Sequence, residues 1–375
     1  MKIVCSKRDL QAALIAASKA LPAKAQTPIL NGIYIATVNN MLEIHATDFS
    51  TGIVARIPAD IESEGSTVIN GKSITEIVGK LSGNIVTIST EEEEGMATFK
   101  CDAVTFSIFT IEGDAEDFPK VITQDYHNSF FIQNDVLKRL ITHSTFATAD
   151  EKDGRPVFQG CSITVEEDKI TFVATNTHRL AVVKDKIEYG IVGEAKLIVP
   201  SSAMNDVLGI LNASNEDTGV KIDFSDKNIA FTINNIFMTC RLIDGTFPPH
   251  DKVIPASCET FATLDIDEFA AAINRVEIIA KQSENNTVKL KFDSEGLELS
   301  ATSYETGRVV EHILAEVDGP DIEIAFNLRY IQEFLRISSS HAEVRIGMNE
   351  SLSPADFRIP IDDSFIYIIT PVRTQ

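Results

Sequence analysis

Leu42-Glu-Ile-His-Ala-Thr-Asp48, Ile170-Thr-Phe-Val-Ala-Thr-Asn176 and Leu297-Glu-Leu-Ser-Ala-Thr-Ser303 are one motif written three times. Each reads as the second strand of a hairpin, because a β-rich run follows a turn: Asn39-Asn40, Glu167-Asp168 or Ser294-Glu295-Gly296. Upstream of each motif, a short β-rich run opens into a pattern of apolar residues at helical spacing. Lys2-Ile-Val-Cys-Ser precedes Leu10, Ala13, Leu14, Ala17 and Leu21; Ser129-Phe-Phe-Ile precedes Leu137, Leu140 and Ile141; Thr260-Phe-Ala-Thr-Leu precedes Phe269, Ala272, Ile273 and Val276. Downstream, a second strand leads into a second helix at Asn70, Pro200 and Asn327, residue types that suit an N-cap or a first-turn proline. Two of the thirds then close on Asp117-Phe118-Pro119 and Thr246-Phe247-Pro248.

These markers recur with a period of about 128 residues, which predicts repeated copies of one structural unit. The expectation is an α+β fold of three tandem domains, 1–126, 127–256 and 257–375. Each would hold two helices packed on antiparallel sheets, and each would itself be an approximate duplicate.

Charge is unevenly placed on this repeat. The chain of 375 residues has 33 Lys+Arg against 55 Asp+Glu, a net −22, which by its total disfavours a basic nucleic-acid binder. The predicted helices (7–21, 71–81, 134–147, 201–212, 266–281, 327–337) carry +3 between them, leaving −25 on everything else. Six helices on a common surface would therefore present a neutral-to-basic face to a polyanion, screened from the acidic sheets over a Debye length of about 8 Å.

Several kinds of chemistry have no signature. The five cysteines (Cys5, Cys101, Cys161, Cys240, Cys258) form no CxxC and read as buried thiols; the histidines have no metal-ligand spacing; no phosphate-binding or nucleophile motif occurs. No catalytic residue, metal or cofactor is expected. Glu91-Glu92-Glu93-Glu94 reads as a solvated hairpin tip. With charges from Lys2 onward and no 18-residue apolar run, the reading is a cytoplasmic protein without a membrane segment.

Thr27-Pro28-Ile29-Leu30, Ala174-Thr175-Asn176-Thr177-His178-Arg179-Leu180-Ala181-Val182, Asp244-Gly245-Thr246-Phe247-Pro248, Phe326-Asn327-Leu328-Arg329-Tyr330 and the terminal Ile368-Ile369-Thr370-Pro371-Val372-Arg373, set on a threefold repeat, resemble the bacterial sliding clamps, the beta subunits of DNA polymerase III holoenzyme. The resemblance covers essentially the whole chain. It implies a head-to-tail homodimeric ring that encircles duplex DNA without sequence specificity and tethers the replicative polymerase, with no catalysis of its own.

The same resemblance implies three sets of residues. A pocket for linear peptides of the polymerase alpha subunit, the clamp loader and repair polymerases would be built from Phe158, Thr175, Thr177, His178, Arg179 and Leu180; from Pro248, Lys252 and Val253; from Asn327, Tyr330, Leu352, Ser353 and Pro354; and from Ile368, Ile369, Thr370, Pro371, Val372 and Arg373. Aliphatic and proline walls would take Leu or Phe anchors, with Arg, His and Asn available for polar contacts. Lys24, Lys72, Lys80, Lys138, Arg139, Lys152 and Arg155 are the candidate DNA contacts, and Phe106, Ile108, Ile278 and Ile279 the candidate dimer interface. Two rivals remain open: an acidic non-DNA scaffold, and an enzyme whose metal is held by scattered carboxylates.

Overall fold

In the computed structural model of the protein, all residues are described except 26, 112–114, 122, 189, 215–217 and 374–375. Among the described residues, six α-helices recur in the order the repeat predicts: α1 (Lys7–Ser18), α2 (Gly71–Lys80), α3 (Asn134–Ser144), α4 (Ser201–Ala213), α5 (Ile266–Ala280) and α6 (Leu328–Ile337). Strands feed directly into them, and polar side chains close the exposed first turns. Ser6 accepts from the Asp9 amide (3.3 Å), Asn70 from Ser73 (3.0 Å), Asp265 from Glu268 (2.8 Å) and Asn327 from Arg329 (3.0 Å). Pro200 instead ends the strand Glu194–Pro200, one residue before α4.

Two helices are shorter than their apolar spacing suggests. Leu21 lies beyond α1, which ends at Ser18, because Leu21 precedes Pro22 and a residue before proline is pushed out of the helical region. α3 ends at Ser144 and tightens into a 3₁₀ turn over Thr145–Ala147. There the Ser144 and Thr145 hydroxyls donate back to Leu140 O (2.7 Å) and Ile141 O (2.9 Å), the kind of local competition that bends and ends helices.

The chain forms two compact units. The first comprises 1–137, 187–191 and 202–242 and is built on a twelve-stranded antiparallel sheet. Nine strands run in the order Val104–Phe109, Met96–Cys101, Ile85–Ser89, Lys2–Ser6, Thr51–Ser63, Ile236–Arg241, Asn228–Ile233, Val220–Phe224, Asn128–Ile132, and the other three, Met41–Thr47, Gly32–Val38 and Ser66–Asn70, branch from Thr51–Ser63 in that order. α1 packs on α2 and on the long strand Thr51–Ser63, burying Leu10, Ala13, Leu14 and Ala17 completely or nearly so. Asn39 and Asn40 both adopt positive φ (50° and 61°), the two-residue hairpin geometry that asparagine tolerates. Glu91 to Glu94 stand exposed between the strands Ile85–Ser89 and Met96–Cys101, where Glu91 pairs with the N-terminal amine (3.3 Å) and Glu92 with Lys100 (2.7 Å).

The second unit comprises 138–186, 192–201 and 243–375 and holds two sheets. Nine strands run in the order Glu194–Pro200, Gly160–Glu166, Lys169–Thr175, Arg179–Lys186, Asp362–Ile369, Ala355–Ile359, Glu343–Met348, Thr260–Asp265, Glu316–Asp318. A separate four-stranded sheet runs Gly307–Ile313, Gly296–Ser303, Thr287–Asp293, Ile322–Asn327, and α5 packs on it and on α6.

The sheets ignore the repeat boundaries in a regular way. The strand after the first motif, Thr51–Ser63, pairs with Ile236–Arg241 near the end of the second third of the chain, in register Ala55↔Ile236. The strand after the second motif, Arg179–Lys186, likewise pairs with Asp362–Ile369 at the end of the last third, Arg179↔Ile369. The strand after the third motif, Gly307–Ile313, and the last strand of the first third, Val104–Phe109, are both sheet edges.

All five cysteines are free thiols; four are buried and Cys258 is only half-buried, so the expectation of five buried thiols holds for four. Burial pushes the thiols of Cys5, Cys161 and Cys240 up to about 12, far from the thiolate that reacts. In the native protein a disulfide-exchange reagent is expected to modify Cys258 alone, with the other four released by unfolding. Rapid labelling of more than one thiol in native buffer would contradict this packing.

Candidate functional site

The strands Lys169–Thr175 and Arg179–Lys186 are joined by Asn176, Thr177 and His178. Two side chains define this turn: Asn176 Oδ1 accepts from the His178 and Arg179 amides (3.1 Å each), and Thr175 Oγ1 accepts from the Thr177 amide (3.0 Å) while donating to Arg179 O (2.6 Å). They hold Thr177 at φ 75°, a conformation that a β-branched residue rarely adopts. The His178 carbonyl accepts from the Thr370 amide (2.9 Å), and the Val372 amide donates to Ala325 O (2.8 Å), so the terminal segment is fixed at two points.

Beside this turn lies a hollow of about 270 Å³ lined by Phe158, Thr175, Thr177, Arg179, Leu180, Phe247, Pro248, Pro249, His250, Val253, Ile368 and Thr370. Its floor is a packed cluster of Leu180 and Ile368 with Val173 and Val182, against which Phe247, Ile254 and Ile366 lean. Phe158 and Phe247 meet edge to face, 6.2 Å between centroids. A concave apolar floor with a few polar groups at the rim suits an aliphatic or aromatic anchor side chain.

Arg179 differs from its sequence reading as an available polar contact. It is buried, with its guanidinium ion-paired to Glu333, donating to Phe146 O (2.5 Å) and stacked 4.5 Å from the Tyr330 ring centroid and 5.5 Å from that of Phe146. Its charge is spent on α6 and on the turn after α3. It shapes the wall of the hollow and has no free fork to offer.

A second hollow of about 560 Å³ is lined by Glu323, Ile324, Ala325, Ser351, Leu352, Val372 and Arg373. Thr370 lines the first hollow and Val372 the second, with Pro371 between them. The other sequence-predicted residues line neither hollow. His178 stands exposed on the turn and Lys252 exposed beside Val253, Asn327 caps α6, Tyr330 lies against Arg179, and Ile369 is buried in its strand. Ser353 and Pro354 are half-buried just before the strand Ala355–Ile359. Phe247, Pro249 and His250 were not singled out for the site from sequence. Of these only Phe247 had a signal, the Phe-Pro pair that recurs at 118–119.

The candidate DNA contacts divide by pairing. Among the described residues, Lys24, Lys72, Lys138 and Lys152 have no carboxylate partner. Lys80 pairs with Glu76 on the next turn of α2 (2.6 Å), and Arg155 with Asp153 (2.6 Å) while lying 4.9 Å over Phe158. Arg139 is bonded to Ser364 and lies near Asp185 (3.8 Å) and Asp362 (3.9 Å), so its charge is largely answered within the chain. The one charge on α4, Asp206, pairs with Lys19 of α1 (3.3 Å). Of the candidate interface residues, Phe106 and Ile108 lie on the edge strand Val104–Phe109, and Ile278 and Ile279 near the end of α5, Ile278 exposed.

Among the described residues no group of three or more His, Cys, Asp or Glu is placed to hold a metal ion, and no helix is long and apolar enough to cross a membrane. Tandem α+β domains, two helices to each, on sheets that continue from one repeat to the next define a clamp fold. The models of the DNA polymerase III beta subunit match the chain in order, the N-terminal domain over 1–122, the central domain over 131–249 and the C-terminal domain over 251–373. The chain belongs to that family, the bacterial beta sliding clamps. It is similar to the beta sliding clamp of Bacillus subtilis, 28% identical over 384 residues with all of both chains covered. The crystal structure of the Bacillus subtilis clamp superposes with a TM-score of 0.91 at 28% identity, and that of the Thermotoga maritima beta subunit with 0.93 at 25%, each covering all of both chains. The protein is thus a DNA sliding clamp for replicative processivity, of a family that serves DNA polymerase as a non-catalytic accessory subunit and forms dimers.

Proposed function

We propose that the three domains 1–126, 127–256 and 257–375 close head to tail with those of a second copy, making a ring of six domains around duplex DNA in the cytoplasm. The observation that carries this reading is the cross-copy strand rule. Thr51–Ser63 pairs with the last strand of the next repeat, and so does Arg179–Lys186, while the corresponding strands Gly307–Ile313 and Val104–Phe109 are left as open sheet edges. A second chain supplies both missing partners at once and removes two open edges that would otherwise invite aggregation. Phe106 and Ile108 from one edge then meet Ile278 and Ile279 beside the other.

Retention on DNA in this arrangement is topological. The phosphate contacts of Lys24, Lys72, Lys138 and Lys152, with Lys80, Arg139 and Arg155 as partly neutralised neighbours, can stay weak enough for sliding. The hollow over Leu180 and Ile368 takes the apolar anchors of QLxLF-type peptides from the polymerase alpha subunit, the clamp loader and repair polymerases. The remaining pocket residues from Leu352 to Arg373 supply its second part.

The test is retention after loading by an ATP-driven bacterial clamp loader. Nicked circular DNA is expected to hold the protein through gel filtration, and cutting the circle to release it. Equal retention on circular and linear DNA would overturn the ring.

A further inference from the structure

The strand face that floors the first hollow runs on beyond it. In the ladder between Lys169–Thr175 and Arg179–Lys186, the opposed pairs are Thr175↔Leu180, Val173↔Val182, Thr171↔Lys184 and Lys169↔Lys186. Side chains alternate across a strand, so these eight share one face, and the face that begins as the apolar floor ends in lysines. There a further concavity of about 580 Å³ is lined by Arg139, Lys169, Lys184 and Lys186, with Glu166 and Asp185 as its carboxylates among the described residues. Asp185 already lies 3.8 Å from Arg139.

Three further observations mark this patch. In a chain of net −22, three lysines beside Glu166, with Asp185 already facing Arg139, are a local reversal of sign. Lys169 and Lys186 stand directly opposite, a like-charge pairing that costs stability in a sheet, and among the described residues neither they nor Lys184 has a carboxylate within ion-pair distance. The patch is also close to the hollow along the same strands, with the buried Val173 and Val182 between them. Burial holds the His250 imidazole of the hollow below its ordinary pKa, Asp251 opposes this, and the ammonium of Lys184 adds to the depression.

We propose that this basic patch is an extension of the peptide site and recognises an acidic segment adjoining the apolar anchor of client peptides. From Leu180 to Lys184 an extended strand advances about 13 Å, so the preferred Asp or Glu lies about four to six residues from the residue that sits on the floor. The inference rests on the reading of the hollow as a peptide pocket. It adds a specificity rule: clients with acidic flanks bind first, and salt weakens that preference while leaving the apolar anchor in place.

The experiment uses fluorescence anisotropy with a labelled QLxLF-type peptide carrying three Glu, three Ser or three Lys beyond either its N- or its C-terminal end. On the intact protein at low salt, one Glu-flanked peptide is expected to bind about tenfold tighter than its Ser-flanked counterpart, and the Lys-flanked one weaker. In Lys184→Glu/Lys186→Glu the ratio of the two affinities is expected to collapse to about one or to invert. The variant removes a like-charge pair, so its melting temperature checks that folding is intact. If the Ser-flanked peptide binds and Glu at neither end improves it, or if the gain survives in the double variant, the extension is wrong and the pocket reading stands. If no peptide binds the intact protein, the pocket reading fails and the extension with it.

Discussion

Arg179→Ala is expected to lower the unfolding free energy by about 3–5 kcal/mol, the range for breaking one side of a buried ion pair. The Arg179 side chain is 6% exposed and answers Glu333, whose side chain is 16% exposed, so the substitution leaves a carboxylate inside with the exposed Arg329 nearby (3.2 Å). It also strips the Phe146 carbonyl of its donor and removes the cation from between the Tyr330 and Phe146 rings. Arg179→Lys is expected to recover little, because an ammonium cannot serve two acceptors in a fork while stacking on aromatic faces. Arg179→Met with Glu333→Gln is expected to recover part of the loss by removing the orphaned charge. Urea unfolding of the four proteins reads these differences. A loss below about 1 kcal/mol for Arg179→Ala, the value of an exposed pair, would mean that the guanidinium is not committed inside the protein. Peptide affinity is expected to fall in the same variant, because the Arg179 side chain itself lines the hollow.

Arg179 also shows where sequence reading stopped. The threefold repeat was legible because alternation in strands and helical apolar spacing are local, and every copy repeats them: Leu10 with Leu14, Leu137 with Ile141, Phe269 with Ile273. The floor of the hollow was legible for the same reason, since Leu180 and Ile368 are apolar strand residues. The partners of Arg179 were not, because Phe146, Tyr330 and Glu333 come from elements far along the chain, and an arginine opening a strand looks the same whether its head is free or buried. His250 and Pro249 follow no periodic constraint and had no signal at all.

Charge reading has the same limit. Eleven lysines and arginines on the predicted helices suggested a basic surface, yet Lys19, Lys80, Arg139, Arg275 and Arg329 each find carboxylates within the chain. The uncommitted charge is smaller than the count implies. That agrees with a protein held on DNA by closure, for which strong phosphate contacts would slow movement.

Val104-Thr-Phe-Ser-Ile-Phe109 is the segment whose sequence most plainly asks for a partner. It alternates like a half-buried strand, yet within one chain Val104 is 39% exposed, Phe106 37% and Phe109 79%, on an edge whose outer backbone groups have no ladder. Ile278 on α5 (59% exposed) and Val310 on the opposite open edge strand (41%) repeat the pattern. Phe106→Asp is therefore expected to convert a dimer of twice 41.1 kDa into a monomer of 41.1 kDa at micromolar concentration. Losing the burial of one Phe costs about 1.5–3 kcal/mol, and placing a carboxylate in an apolar contact costs at least as much again. A closed head-to-tail dimer contains the contact twice, so one substitution weakens both joints. A loss of 4 kcal/mol or more, about a thousandfold in the dissociation constant, is expected. Ile278→Asp attacks the same joint from its other side and is expected to give the same monomer. The monomer should remain folded, since neither residue belongs to a core, and should pass from nicked circular DNA as readily as from linear. Sedimentation equilibrium decides the matter: dimers of unchanged affinity in both variants would place the interface elsewhere and remove the strand-pairing rule as the basis of the ring.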